Sequence, residues 1–259
     1  GRGNDWLTLG SVKGYVDGSL GSHTAYMFEN YTDYPGNGLL VTSEEDLYTY
    51  IKGADNAGLQ VCVHAIGDKA NYVILSTFHK VAQENGEKDR RFRVEHAQTV
   101  RMQDVPLFKD IIASVQPIHL YEDIQWAEKL LGPERIKDLY RFSSLQNTST
   151  ALVFGSDWYV QDPDVLAAIH HAVSRISPNY PNGFHNVERI SVEDALRGYT
   201  VNAAYAAFKE NSFGRIKKGL FADFVVLDKD ITKLQDPWTE IPTTKVLYTV
   251  VNGDIVYSG

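Results

Sequence analysis

Three segments of the chain end in residues suited to holding a metal ion or moving a proton. They are Val63-His64-Ala65, Glu95-His96-Ala97 and Phe154-Gly155-Ser156-Asp157. Each closes an apolar run of strand-like composition. Imidazole nitrogen and carboxylate oxygen are ordinary zinc ligands, at ~2.0–2.2 Å. Adjacent parallel strands lie ~4.8 Å apart, so histidines at equivalent heights on neighbouring strands can meet at one ion. A single histidine after a strand is more often structural. Two on consecutive strands, with an aspartate ending a later one, shift the balance towards a site. Lys13 adds a separate clue, because alternation in Val12-Lys13-Gly14-Tyr15-Val16-Asp17 puts it on one face with Tyr15 and Asp17. An unpaired cation aimed into a barrel is costly. A carbamate formed with CO2 would turn the lysine into an anionic oxygen ligand. Pairing with Asp17, or a place on the outer face, are the simpler alternatives.

The elements that must position these residues alternate along the chain. Strands are expected at 12–16, 59–64, 92–96, 111–116 and 151–154. Between the first two, Thr42 with Glu45 three residues on reads as a capping box, and Leu47, Tyr50, Ile51 and Ala54 form one apolar helical stripe. Further helices are expected at about 68–83, near 102–110, in two stretches after 116 (the second opening at Pro133), at about 164–175, and at 191–208 behind a Ser191 cap. Five strands alternating with helices predict a parallel sheet with helical crossovers. From Gly219 the texture becomes strand-like, with Asn252-Gly253 as a hairpin turn. If the fold is a (β/α) barrel, the chemistry belongs to the loops after the strand C-termini.

Composition narrows the class. The chain has 259 residues, 43% of them hydrophobic and 22% charged, which suits a globular α/β domain, alone or with a small appendage. Its 33 acidic and 25 basic residues give a formal charge of −8, the opposite of the basic face that nucleic-acid binders carry, so no nucleic-acid partner is expected. Cys62 is the single cysteine. An internal disulfide is therefore impossible, and a cytoplasmic location is compatible. No apolar stretch approaches the ~20 residues of a membrane span. The first residues, Gly1-Arg2-Gly3-Asn4-Asp5, do not read as a signal peptide.

Seven blocks in fixed order carry a family resemblance. They are Asp17-Gly18-Ser19-Leu20-Gly21-Ser22, Val63-His64-Ala65-Ile66-Gly67-Asp68, Arg93-Val94-Glu95-His96-Ala97-Gln98, Ser114-Val115-Gln116-Pro117 with His119, Gly155-Ser156-Asp157, Tyr199-Thr200-Val201-Asn202-Ala203-Ala204 and Gly219-Leu220-Phe221-Ala222-Asp223-Phe224. Together they resemble the YtcJ-like branch of the amidohydrolase superfamily, to which N-substituted formamide deformylase belongs. The resemblance implies an α/β fold: part of a TIM-type (β/α)8 barrel, about strands four to eight, over residues 1–213, and the C-terminal strands of a small β-sandwich over 214–259. It implies a hydrolase of non-peptide C–N bonds, with one or two divalent ions, zinc first among them. His64 and His96 would be metal ligands. Asp157 would bind metal and shuttle the proton. Lys13 would be the lysine that is carboxylated in many relatives, and its carboxylation decides whether a second ion is held. His119 would contact a small amide-like substrate. Apart from the resemblance, the aromatics Tyr26, Phe28 and Trp158 read either as lining of a substrate pocket or as ordinary core.

The departures also matter. His23 stands where relatives often carry arginine, and Trp158-Tyr159 where a small residue and proline are frequent. Gly214-Arg215-Ile216-Lys217-Lys218-Gly219 replaces a commoner Gly-Ser-Ile-x-x-Gly form. The resemblance further implies a His-x-His pair on the first barrel strand, and this sequence has none. Five strands cannot close an eight-stranded barrel. The chain is therefore expected to be the C-terminal portion of a larger protein, partnered by the missing N-terminal barrel half or by a second copy. Rival readings are a non-catalytic scaffold or regulatory remnant, a metal-dependent lactonase or phosphoesterase, and a glycosidase using Asp17 and Glu95.

Overall fold

A computed structural model describes residues 3, 4 and 7–259. Gly1, Arg2 and Asp5 of the segment read above as no signal peptide lie outside them. The chain falls into two compact units, Gly1–Val115 with Trp126–Thr150, and Gln116–Gln125 with Ala151–Gly259.

The first unit is built on parallel strands β1 (Ser11–Tyr15), β2 (Gln60–Ala65), β3 (Arg93–His96) and β4 (Ile112–Val115), hydrogen-bonded in that order. Helix α1 (Glu44–Asn56) joins β1 to β2, and α2 (Asp68–Asn85) joins β2 to β3. A 3₁₀ stretch (Met102–Phe108) precedes β4. Register fixes which side chains share a row. Tyr15 pairs with His64, His64 with Glu95, and Glu95 with Ser114. One row below run Lys13, Cys62, Arg93 and Ile112. The alternate rows are apolar, with Gly14, Val63, Val94 and Ala113 in one line. Helix α2 seals its apolar stripe, burying Val73, Ile74, Leu75, Phe78 and Val81. Each large side chain there contributes roughly 1.5–3 kcal/mol by leaving water. Phe78 stacks on Phe92 at 4.5 Å between ring centroids.

Local details depart from expectation for identifiable reasons. The cap of α1 is Ser43, whose side chain accepts from the Asp46 N–H at 3.1 Å, one residue beyond the expected Thr42. That phase buries Leu47, Ile51 and Asp55 and leaves Tyr50 66% exposed. After β4 the first unit contains α4 (Ala127–Arg135) and α5 (Phe142–Thr148). Gly132 (φ 76, ψ 171) divides α4 into two helical pieces, and Pro133 opens the second, as its place in the sequence predicts.

The second unit holds α3 (Pro117–Asp123), β5 (Ala151–Phe154), α6 (Val165–Ser174), α7 (Val192–Tyr199) and α8 (Val201–Ala206). Ser191 caps α7 as expected, accepting from Asp194 N–H at 3.0 Å. The helix expected at 191–208 is divided at Thr200 (φ −121, ψ −89). Thr200 Oγ1 donates back to the Leu196 carbonyl at 2.7 Å, a bond that competes with helix continuation. Asn202 then donates to the Leu152 carbonyl at 2.9 Å, which gives the Tyr199–Ala204 block a structural purpose beside β5. The tail forms an antiparallel sheet of β6 (Phe224–Leu227), β7 (Val246–Val251) and β8 (Asp254–Ser258). Asn252 (φ 52) and Gly253 (φ 87) make its turn, the paired left-handed conformation of a type I′ hairpin.

Candidate metal centre

The two strand-end histidines come together within the first unit. Their ring centroids are 4.4 Å apart at an interplanar angle of 68°. They do not reach this by equal height, because His64 pairs in register with Glu95 and His96 with Ala65. Alternation would send His96 to the apolar side with Val94. Instead His96 has φ 75 and Ala97 φ 43. These left-handed residues, uncommon outside glycine, break the alternation and return the second imidazole to the first.

His64 is held on several sides. Tyr15 packs at 5.1 Å between centroids. Its Nε2 lies 2.8 Å from the Gly18 carbonyl and 3.5 Å from Asp17 Oδ1. A carbonyl oxygen only accepts, so Nε2 of His64 carries the proton in this contact. The strand ends beneath are tied by Asn71, fully buried on α2, which donates to the carbonyls of Gly67 at 2.9 Å and Thr99 at 3.1 Å.

Asp17 is the residue whose importance sequence reasoning underrated. Its carboxylate is buried and accepts the N–H groups of Tyr26 (2.8 Å), Ile66 (3.0 Å) and Gly67 (2.8 Å). Burial pushes its pKa up to about 7, against the lowering effect of those backbone donors. The available signal was the Asp-Gly pair closing β1, which reads equally as an ordinary turn. Lys13 is exposed, with its ammonium 4.6 Å above the Tyr15 ring. Glu95 is held by Arg93 Nε at 2.5 Å. Among the other expected pocket residues, Lys69 Nζ sits 4.5 Å over the Tyr26 ring. The Phe28 ring lies 3.6 Å below the Arg101 guanidinium and borders a groove of about 570 Å³ between α1 and α2.

Asp157, His119 and Trp158 lie in the second unit. Asp157 follows β5 on a left-handed turn (φ 56), exposed, its carbonyl accepting Val160 N–H at 2.7 Å. His119 Nε2 is 3.1 Å from the Ser156 carbonyl. Burial lowers the His119 pKa, while that carbonyl and the Asp157 and Glu122 charges oppose the shift. Trp158 is 70% exposed.

The donor chemistry bears on what the histidines could hold. Two imidazoles at this spacing on neighbouring strands suit a first-row divalent ion. They supply half of a tetrahedral set. Among the described residues, no group of three or more His, Cys, Asp and Glu side chains is gathered to hold a metal ion.

The family model described as "Amidohydrolase family" matches residues 1–257. The chain belongs to the amidohydrolase family. It is 45% identical to the Arabidopsis thaliana protein LONG AFTER FAR-RED 3 over 258 residues, covering 98% of this chain and 44% of that one. With the Bacillus subtilis protein named "Putative amidohydrolase YtcJ" it shares 34% identity, covering 97% of this chain and 48% of that one. With N-substituted formamide deformylase of Arthrobacter pascens it shares 24%, covering 83% and 40%. An uncharacterized metal-dependent hydrolase of Pyrococcus furiosus superposes with a TM-score of 0.77 at 34% identity, over 89% of this chain and 47% of that one. The chain thus spans less than half the length of these relatives. The expected kinship with the YtcJ-like amidohydrolases holds. Among the described residues, no helix is long and apolar enough to cross a membrane.

Proposed function

We propose that the protein containing this chain is a metal-dependent hydrolase that cleaves an amide-like, non-peptide C–N bond. The observation that carries this reading is the His64–His96 pair, brought to 4.4 Å by a left-handed backbone at His96. A divalent ion, zinc by its affinity for imidazole, would be held by these two residues. When bound, such an ion supplies an activated water near neutral pH. The remaining donors and barrel strands come, on this reading, from sequence beyond these 259 residues, with Lys13 adding an oxygen donor if carboxylated. Residues 1–213 are then the barrel portion, and 214–259 the closing strands of a flanking β-sandwich.

The chain's own residues do the rest. Asp157 takes a proton at its exposed carboxylate and returns it to the departing nitrogen. His119 is kept neutral at pH 7 by burial, so it orients the substrate through hydrogen bonding rather than charge. Trp158 offers an apolar wall. The bond class is supported by the deformylase relative, whose name places its activity on an N-substituted formamide.

The test is a hydrolysis screen of the full-length protein on N-formyl amines, simple amides, lactones and phosphoesters. Turnover is expected on the first two classes and lost in Asp157→Asn without change in the far-UV spectrum. Preference for a lactone or phosphoester would reassign the bond. Undiminished hydrolysis by Asp157→Asn would remove that residue from the mechanism.

A further inference from the structure

We infer that Asp17 is the positioning residue for His64, fixing the place of the ring and setting a proton on its Nε2. The functional consequence rests on the hydrolase reading above; the structural claim does not.

The geometry acts by two routes. First, the carboxylate gathers three backbone N–H groups from two segments: Tyr26 in the loop after β1, and Ile66 and Gly67 just beyond His64. It therefore fixes the end of β2 relative to the end of β1. Second, the residue after Asp17 supplies the acceptor for the ring, since His64 Nε2 lies 2.8 Å from the Gly18 carbonyl. Oδ1 of Asp17 lies 3.5 Å from the same nitrogen, so Nε2 faces acceptor oxygens from both residues, which favours Nε2–H over Nδ1–H. Little slack remains around this arrangement. A Cβ on Gly18 would sit 2.1 Å from Thr24 Oγ1, and one on Gly67 would sit 2.1 Å from the Tyr26 carbonyl. Asp17→Asn must misplace something, because an amide group at either oxygen position turns an N–H donor towards an N–H donor.

Two readouts separate positioning from a merely structural role. One is the tautomer of His64 by imidazole ¹⁵N NMR, and the other is zinc affinity by competition with a chelator. In the unmutated protein His64 should be the Nε2–H tautomer. In folded Asp17→Asn it should exchange between tautomers, and zinc affinity should fall about 10- to 100-fold, the usual effect of losing a partner that orients a ligand. A folded Asp17→Asn with unchanged tautomer and unchanged affinity overturns the inference. If that variant does not fold, Asp17→Glu decides: exchange between tautomers upholds the inference, and an unchanged tautomer with unchanged zinc affinity overturns it, as does Nδ1–H in the unmutated protein. Failure of the unmutated protein to bind zinc would refute the metal reading and leave the tautomer to judge Asp17.

Discussion

Replacing Asp55 with alanine should unfasten the end of α1 from the turn after α2. The carboxylate is 3% exposed and sits 2.9 Å from Lys88 Nζ and 3.1 Å from Arg90 Nε. It also accepts from Asn85 Nδ2 at 2.7 Å. Burial alone would raise its pKa, but hydrogen bonds from Lys88, Asn85 and Arg90 prevail and hold it below the ordinary value of 3.8. Removing one partner of a buried ion pair costs ~3–5 kcal/mol, because the other charge is stranded. Lys88, at 36% exposed, regains water, whereas Arg90, at 9%, does not. The lower end, about 3 kcal/mol, therefore applies. At ~2–4 °C per kcal/mol for a chain of this size, the melting temperature should fall about 6–12 °C at pH 7. A carboxylate with a depressed folded pKa stabilises above its unfolded value of 3.8, and that contribution is lost as pH falls through the folded value. The gap between unmutated protein and Asp55→Ala, measured by urea unfolding under far-UV circular dichroism, should thus be full at pH 5–7 and close in stronger acid. A loss below about 1 kcal/mol at pH 7 (the range of an exposed pair), or a gap of constant size into acid, would refute the reasoning.

Other substitutions test separate parts of the fold. Phe78→Ala, at a fully buried ring stacked on Phe92, should cost ~3–5 kcal/mol in the same urea assay. Gly67→Ala would drive its Cβ to 2.1 Å from the Tyr26 carbonyl; it should lower the melting temperature, whereas Gly53→Ala, with open space around it, should raise it slightly. Ser191→Ala removes the α7 cap and should cost about 1 kcal/mol, seen as a small shift of the unfolding midpoint.

The sequence conveyed element order well because burial and alternation act over short windows. β5 and the Asn252-Gly253 turn fall where their residues predict. Less accessible was anything set by competition between adequate local choices. Thr42 and Ser43 can both cap a helix, and only the packing of Leu47, Ile51 and Asp55 selects Ser43. Thr200 is a tolerable helix residue until its hydroxyl bonds backwards. At the candidate site the residue types were readable and the geometry was not. The period of a strand assigns His64 a row shared with Glu95, and nothing in Glu95-His96-Ala97 announces the left-handed backbone that reunites the imidazoles. Strand alternation offers Asp17 to Lys13 as a partner, yet its oxygens accept the backbone N–H groups of Tyr26, Ile66 and Gly67.

The two-sidedness of the β1–β4 sheet bears on how such a protein changes over generations. Val63, Val94 and Ala113 project from one surface, while Lys13, Cys62, Arg93, His64 and Glu95 project from the other. Because neighbouring positions along a strand point in opposite directions, exchanging a residue of the polar set leaves the aliphatic set in place. Side chains at Lys13 or Arg93 can be exchanged while the cohesion beneath the helices is inherited unchanged.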